Sequence, residues 1–258
     1  MPFRTTTRWQ LRTADVRLRL KVSVVIPCFN ESASVAQLHE RLLPVLERVS
    51  NRYDVELILV DDGSTDDTFE LLKSTFADYP PARVVRHPKN LNLGGAIRTG
   101  IKEASGELIA NLDSDCTYDP GYLEPMLAEI ERGADFVTVS PYHPAGRVDG
   151  VPAYRLLLSA TLSLLYRFAV RSNVYTYTAL NRVYRRTLCP TISSPAFNFT
   201  CLAEMILKAL SQGFRVSEVP ATLSVRRFGE SKMKIATTIR AHLGLLSRLV
   251  FAPKTFLK

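Results

Sequence analysis

Two aspartates one residue apart, Asp113-Ser114-Asp115, follow directly on the apolar run Leu108–Leu112. In an extended segment residues i and i+2 lie on one side, so both carboxylates can face one cation. Mg²⁺ and Mn²⁺ are hard ions that take oxygen ligands, commonly one or two carboxylates with phosphate and water completing the shell. Taken alone, the triplet reads more readily as a solvated turn, and its place at the end of a strand in an α/β sheet brings the two readings level. Asp61-Asp62-Gly63-Ser64 ends a second apolar run. One carboxylate there can accept hydrogen bonds from a nucleobase or ribose; the alternative is a turn in which Ser64, Thr65 or Asp67 caps the next helix. Pro27-Cys28-Phe29-Asn30-Glu31 ends a third run, with a ring suited to line a base pocket and a carboxylate suited to polar ring atoms. Three acidic loops at three strand ends converge on one edge, which is harder to dismiss than any one of them.

Further along, Arg226-Arg227-Phe228-Gly229-Glu230-Ser231-Lys232 puts cations around a glycine turn. That suits a clamp on a diphosphate, with Arg binding bidentately and Lys as a point charge, although a charge cluster is also ordinary surface. Asn92-Leu93-Gly94-Gly95 leads into a helix but lacks the glycine spacing of a P-loop or dinucleotide fingerprint, so close packing is the simpler reading. Glu204, in Leu202-Ala203-Glu204-Met205, is the one candidate general base if the reaction needs one.

These residues require a scaffold, and the hydrophobic pattern supplies it. Strands are expected at 22–27, 55–60, 83–86, 108–112 and 136–140, each a short apolar or β-branched run bounded by turn residues. Helices are expected between them, from Ser32 to about Val49, from Asp66 to Phe76, over 94–104 and over 121–132. This alternation predicts an α/β fold with a doubly wound, mostly parallel sheet and ligands at the carboxyl ends of its strands. Beyond Ser140 the pattern changes to a Pro/Gly-rich loop (141–152), a helix over 153–170, a strand near 178–184, a helix over 201–211, a strand near 215–225 and a basic helix over 233–250. The expected organisation is a basic segment 1–21, a domain 22–232 divided into a nucleotide half (22–140) and an acceptor half (141–232), and a C-terminal amphipathic helix 233–258.

The 258 residues can bury a sizeable core, and 46% hydrophobic with 22% charged residues excludes a mainly disordered chain. Four cysteines in no short-spaced pair argue against a disulfide framework or structural zinc and suit a reducing cytoplasm. The net charge of +8 is concentrated at the two ends around a mildly acidic body. That is a poor layout for nucleic acid and a good one for an anionic membrane surface or a phosphorylated substrate. The most apolar stretch, Leu156–Tyr166, is 11 uncharged residues between two arginines, short of the ~20 a spanning helix needs. No transmembrane span and no secretory signal is therefore expected.

Read together, VSVVIPCFNE, ELILVDDGSTDDT, LNLGGAIRTGIKEASGELIANLDSDCTYDP and GFRVSEVPATLSVRRFGESK resemble the family 2 glycosyltransferases of the GT-A fold, particularly the dolichol- and polyprenyl-phosphate sugar synthases. The resemblance implies nucleotide contacts at Pro27, Phe29, Glu31, Val60 and Asp62. It implies a diphosphate- and metal-binding motif at Asp113, Ser114 and Asp115, with the metal, Mg²⁺ or Mn²⁺, on Asp113 and Asp115. Arg226 and Lys232 match the basic pair of the R-x-x-G-E-S-K segment. Pro141 stands where the family carries an arginine, Thr176 where it carries an aspartate, and of one basic helix motif only Arg155 and Ser159 persist.

The function so implied is an inverting, metal-dependent transfer of a sugar from a GDP- or UDP-sugar to a polyprenyl or dolichyl phosphate. Asp115, Arg226 and Lys232 would serve the departing diphosphate. A phosphate acceptor is already anionic and needs no strong base. Two alternatives stay open: a hydroxyl acceptor with Glu204 as base, and a non-catalytic nucleotide-sugar-binding module. The partners expected are a nucleotide sugar, a lipid phosphate and, through basic amphipathic helices, the cytoplasmic face of a membrane. On the C-terminal helix Ile235, Ile239, Leu243, Leu246 and Val250 would form the buried stripe.

Overall fold

The computed structural model describes residues 19–226, 228 and 235–251. Lys232 and the basic segment 1–18 lie outside the described residues, as does most of the R-x-x-G-E-S-K segment. The chain opens with β1 (Lys21–Cys28), α1 (Val35–Ser50), β2 (Asp54–Asp61), α2 (Thr68–Thr75), β3 (Ala82–Arg86), α3 (Leu93–Glu103), β4 (Leu108–Asn111), α4 (Leu123–Glu131) and β5 (Phe136–Ser140). It continues with β6 (Arg147–Asp149), α5 (Ala153–Val170), β7 (Arg182–Arg185), α6 (Cys189–Ile192), α7 (Thr200–Ser211), β8 (Val216–Pro220), β9 (Thr222–Ser224) and α8 (Ile235–Phe251).

Seven strands form one sheet in the order β3-β2-β1-β4-β7-β5-β8, and every pairing is parallel except those of β7. The expected doubly wound, mostly parallel sheet is therefore present, with one antiparallel strand inserted. Central parallel strands are covered on both faces, which is why β1 and β2 read as nearly unbroken β-branched runs. Alternation sorts their side chains: Val22, Val24, Ile26, Leu57 and Leu59 pack with α1, α2 and α4, whereas Val25, Ile58 and Val60 pack with α3 and α7. α3 sits unusually close to the sheet because Gly100 lies over Val25; a Cβ there would come within 2.1 Å of the valine's methyl carbon. Gly94 is equally constrained, since its Cβ would fall 2.0 Å from the Ala196 carbonyl oxygen. Gly94 and Gly95 thus serve close packing.

Two elements differ from expectation. The loop 141–152 contains β6, which pairs in parallel with β9 through Val148↔Leu223 and Asp149↔Ser224. The 178–184 strand is shifted to 182–185 and carries a fully buried arginine. Arg182 is accommodated because its guanidinium donates to the carbonyls of Leu202 and Ala179 and lies 5.4 Å from the centroid of the Phe136 ring.

α5 and α8 pack on each other and on α7. α8 enters the core through His242, Leu245 and Leu249, with Leu246 packed against it, while Leu243 and Val250 of the expected membrane-facing stripe are exposed. The His242 ring nitrogen Nδ1 lies 2.9 Å from the Tyr166 hydroxyl of α5. Among the described residues no helix is long and apolar enough to cross a membrane.

Burial pushes the His242 imidazole down to about 4, against ~6.5 for an exposed histidine. Between those values the unfolded chain binds a proton that the folded chain refuses. Stability is unaffected by this group above the upper value and falls as pH drops through the window, by ~3 kcal/mol at most. Urea unfolding at pH ~7.5 and ~5 should therefore show a larger acid loss for the native chain than for His242→Asn, which has no group to charge.

Candidate active site

The carboxyl ends of β1, β2 and β4 open onto one cleft of about 1020 Å³. Pro27, Cys28, Phe29 and Glu31 reach it from β1, Asp62 from β2, and Asp113, Ser114 and Asp115 from β4. Arg226 arrives from the far end of the chain, just after β9. Val60 does not line the cleft: it lies inside β2, fully buried, two residues short of the edge.

Strand alternation separates the paired aspartates of β2. Asp61 turns to the opposite face, where Arg86 approaches at 3.2 Å, and Asp62 turns to the cleft. The hydroxyl-rich stretch behind them braces the β1 loop. Ser64 Oγ accepts from the Asn30 amide at 2.9 Å, Thr68 Oγ1 from the Glu31 amide at 2.8 Å, and Asn30 Oδ1 from the Thr65 amide at 2.8 Å. Ser64 and Thr65 therefore tie two loops together. Asp66 takes the capping task, accepting from the Thr68 amide at 3.0 Å, and Asp67 makes no side-chain cap.

The Asp113 amide donates to Asn181 Oδ1 at 2.8 Å, and Thr117 binds both aspartates, its hydroxyl on Asp113 at 3.1 Å and its amide on Asp115 at 3.1 Å. Arg226 bridges two loops: Nε donates to Asp115 Oδ2 at 2.8 Å, and its terminal nitrogens reach Glu31 at 3.0 and 3.2 Å. Burial pushes the Asp113 carboxyl up, reinforced by the charge of Asp115. Burial likewise raises Glu31 despite Arg226, and raises Asp62. These are carboxylates crowded into a place that favours positive charge.

That crowding fits a divalent cation at Asp113 and Asp115. The donors are all oxygen, and both aspartates line the open cleft. Among the described residues no three His, Cys, Asp or Glu groups converge on a common point. A cation held here would take its remaining ligands from phosphate and water, as Mg²⁺ and Mn²⁺ readily do.

The other half of the cleft is lined by Tyr142, Tyr154, Arg155, Ser159, Thr176 and Thr178 among polar groups, and by Leu156, Leu158, Leu162 and Ile239 among apolar ones. Asn90, Asn92 and His242 also line it; Asn92 was named only as the lead into a helix, and the sequence patterns singled out neither Asn90 nor His242. Their positions follow from tertiary placement, and only the asparagine-rich turn before α3 gave a local cue. Glu204 is absent from this lining. It is 1% exposed on the core face of α7, where it accepts from Ser194 Oγ and pairs with Arg248 of α8 at 3.2 Å. The expected base is a buried clamp that docks α8, because its helix face points to the core rather than to the cleft.

Residues 23–192 match the family described as Glycosyl transferase family 2. The chain belongs to that family. It is 31% identical over 237 residues to a dolichol-phosphate mannosyltransferase of Pyrococcus furiosus, covering 90% of this chain and 64% of the relative. It therefore spans somewhat under two thirds of that protein. It is 31% identical over 228 residues to a polyprenol monophosphomannose synthase of Mycolicibacterium smegmatis, covering 85% and 83%. A dodecaprenyl-phosphate galacturonate synthase of Rhizobium johnstonii is 30% identical over 240 residues, covering 93% and 69%. Among solved structures, glucosyl-3-phosphoglycerate synthase of Mycobacterium tuberculosis in complex with Mn²⁺, UDP-glucose and phosphoglyceric acid superposes with a TM-score of 0.68 at 20% identity, covering 89% and 80%. That likeness establishes the GT-A fold.

Glu204→Gln separates the two roles for this residue. The clamp requires a lower unfolding midpoint, since Arg248 loses its charged partner, with kcat held within about threefold. A loss of kcat at unchanged stability would return Glu204 to the chemistry.

Proposed function

We propose that the chain transfers a sugar from a nucleoside-diphosphate sugar to a polyprenyl phosphate-type lipid, with inversion and with a divalent cation, Mg²⁺ or Mn²⁺, on Asp113 and Asp115. One observation carries the reading: a single cleft joins a carboxylate-and-arginine half to a half walled by α5 and α8 that is apolar and cationic. The names of the three relatives support the acceptor class.

In this reading Pro27, Phe29 and Glu31 hold the nucleotide from β1, and Asp62 accepts a hydrogen bond from its base or ribose. When bound, the cation offsets negative charge on the departing diphosphate. Arg226, already poised over Asp115, adds a second positive charge at the same place, and Lys232 is assigned to follow it in the same segment. Arg155 supplies positive charge from the acceptor side.

The acceptor half contains no carboxylate among its described lining residues. His242, the one imidazole there, is held down at about 4 and is a weak base. A hydroxyl acceptor would need a stronger one, whereas an anionic phosphate oxygen attacks without it. Among the described lining residues, the lack of a stronger base favours the phosphate.

Lipid acceptors call for a membrane, and the outer surface suits one. On α5 Tyr154, Leu157, Leu164, Leu165 and Phe168 are exposed, the last at 72%, and on α8 Leu243, Val250 and Phe251 are exposed. Arg171, just after α5, and Arg240, on α8, are exposed as well. An apolar stripe edged by cations lies in the headgroup layer and binds anionic lipid. We assign the chain to peripheral association with the cytoplasmic membrane face.

The activity is tested by incubating the protein and Mn²⁺ with a panel of UDP- and GDP-sugars, with polyprenyl phosphate, with polyprenol, or with neither. Release of nucleoside diphosphate should rise with the phosphate and not with the alcohol. No use of any donor, or equal use of the alcohol, overturns the reading. For the membrane, Leu157→Asp combined with Phe168→Asp should abolish flotation with anionic liposomes while leaving nucleotide binding and the unfolding midpoint unchanged. These exposed positions make a cleaner test than removal of α8, which would uncover Tyr166 and Glu204.

A further inference from the structure

We infer that His87 is a positioning residue for nucleotide recognition, holding Asp62 in the one orientation that presents its carboxylate to the cleft. The inference rests on the reading above, in which Asp62 faces the nucleotide. His87 follows β3 and is itself 6% exposed; it does not line the cleft. Its Nδ1 lies 2.7 Å from Asp62 Oδ1, and its Nε2 lies 2.8 Å from the Thr99 hydroxyl of α3. The Leu91 amide donates to the same Asp62 oxygen at 2.8 Å.

The contacts define the proton arrangement. An ionised carboxylate accepts only, so the imidazole bonded to it carries a proton on Nδ1. On the other side of the ring Nε2 pairs with the Thr99 hydroxyl, which can both donate and accept. Two donors converge on Oδ1, the Asn92 amide also bonds the carboxylate, and Asp62 lines the cleft where a ligand can meet it. Charge-assisted bonds of this kind hold a carboxylate against rotation about its side-chain torsions. They also favour the ionised form of Asp62 against the burial that raises its pKa.

Every other part of this relay is fixed by the fold. The His87 amide donates to the Asp61 carbonyl at 2.9 Å, extending the β2–β3 pairing by one residue. Thr99 is brought within reach because its neighbour Gly100 lets α3 sit directly on β1. The relay runs from α3 through β3 to β2, and Asp62 is its only member that lines the cleft. A buried polar chain with one end in a binding site orients the group at that end.

The chemical consequence is a preference for bases that offer a ring N–H, such as uracil or guanine. An oriented, ionised carboxylate accepts from such a group and leaves a base with only ring acceptors unpaired. Sites built around a hydrogen bond reject the analogue that lacks it. Phosphate groups bind elsewhere, at Asp113, Asp115 and Arg226, and should not sense His87.

The experiment measures binding by calorimetry with Mn²⁺ present, for UDP, GDP and inorganic diphosphate, on the native chain, His87→Ala, His87→Asn and Thr99→Val. His87→Ala should weaken whichever of UDP and GDP the native chain binds by about tenfold. Inorganic diphosphate should stay within about twofold. His87→Asn retains an N–H close to the Nδ1 position and should recover most of the loss. Thr99→Val should weaken the nucleotide by about threefold, and it carries the test if His87→Ala does not fold. Equal losses for nucleotide and diphosphate would show a merely structural role, and unchanged nucleotide binding in His87→Ala or, failing that, in Thr99→Val would overturn the inference outright. If the native chain binds diphosphate but neither nucleotide, the reading of the donor site fails and this inference falls with it.

Discussion

Negative charge gathered at one edge of a parallel sheet is the constraint around which this molecule is built. Parallel strands all end on the same side, so the loops that follow β1, β2 and β4 must deliver Glu31, Asp62, Asp113 and Asp115 to a common cleft. Charges a few ångströms apart and partly withdrawn from water repel by several kcal/mol at an effective dielectric near ~20. The fold answers with Arg226, whose guanidinium spans Glu31 and Asp115. Keeping that arginine in place explains the small sheet of β6 and β9. The Ser224 amide donates to the Thr117 carbonyl at 2.9 Å, and the Val225 amide to the Asp149 carbonyl at 3.1 Å. Thr117 in turn binds both Asp113 and Asp115. Two backbone hydrogen bonds thus hold the segment that carries Arg226 against the loop that carries the aspartates.

The parts of this arrangement that could be read from the sequence are those set by local rules. β1, β2 and β5 announce themselves as β-branched runs because both of their faces are buried. The expected 136–140 strand and 153–170 helix coincide with β5 and α5 to the residue. The acidic loops were legible because the end of a parallel strand is itself a place where ligands bind. β6 was not legible: Arg147-Val148-Asp149 is short, polar and lodged between Gly146 and Gly150, and it becomes a strand only when β9 pairs with it. β7 was displaced for a related reason. It gains its pairing from β4 and β5 on either side, and a fully buried arginine is not a feature that strand propensity foresees.

Glu204 marks the limit of spacing arguments more sharply. Nothing in Leu202-Ala203-Glu204-Met205 says whether the glutamate looks to the cleft or to the core, since α7 is buried almost all round. Its direction was decided by a partner 44 residues later, Arg248 on α8. His87 is the converse case. It lies in an unremarkable turn, and its importance emerges only when α3 places Thr99 on one side of the ring and β2 places Asp62 on the other. Both residues act through tertiary contacts of three elements, which no window along the chain contains.

The helices α5 and α8 show why amphipathicity has to be resolved by side. α5 buries only Ser163 and Tyr166 completely, yet it is apolar in two directions. Leu156, Leu158 and Leu162 look into the cleft, and Leu157, Leu164, Leu165 and Phe168 look outward. α8 is divided in the same way, with Leu245 and Leu249 in the core, Ile239 on the cleft and Leu243 and Val250 on the outside. A core helix needs one such stripe and a soluble surface needs none facing water. A second stripe continuous with the wall of a substrate cleft has a use if the substrate is itself part lipid. Its phosphate would enter beside Arg155 while its chain stayed on apolar surface from the cleft wall to the outer face. On the proposed function the same two helices serve as cleft wall and as membrane contact, so lipid need not cross polar surface to reach the sugar.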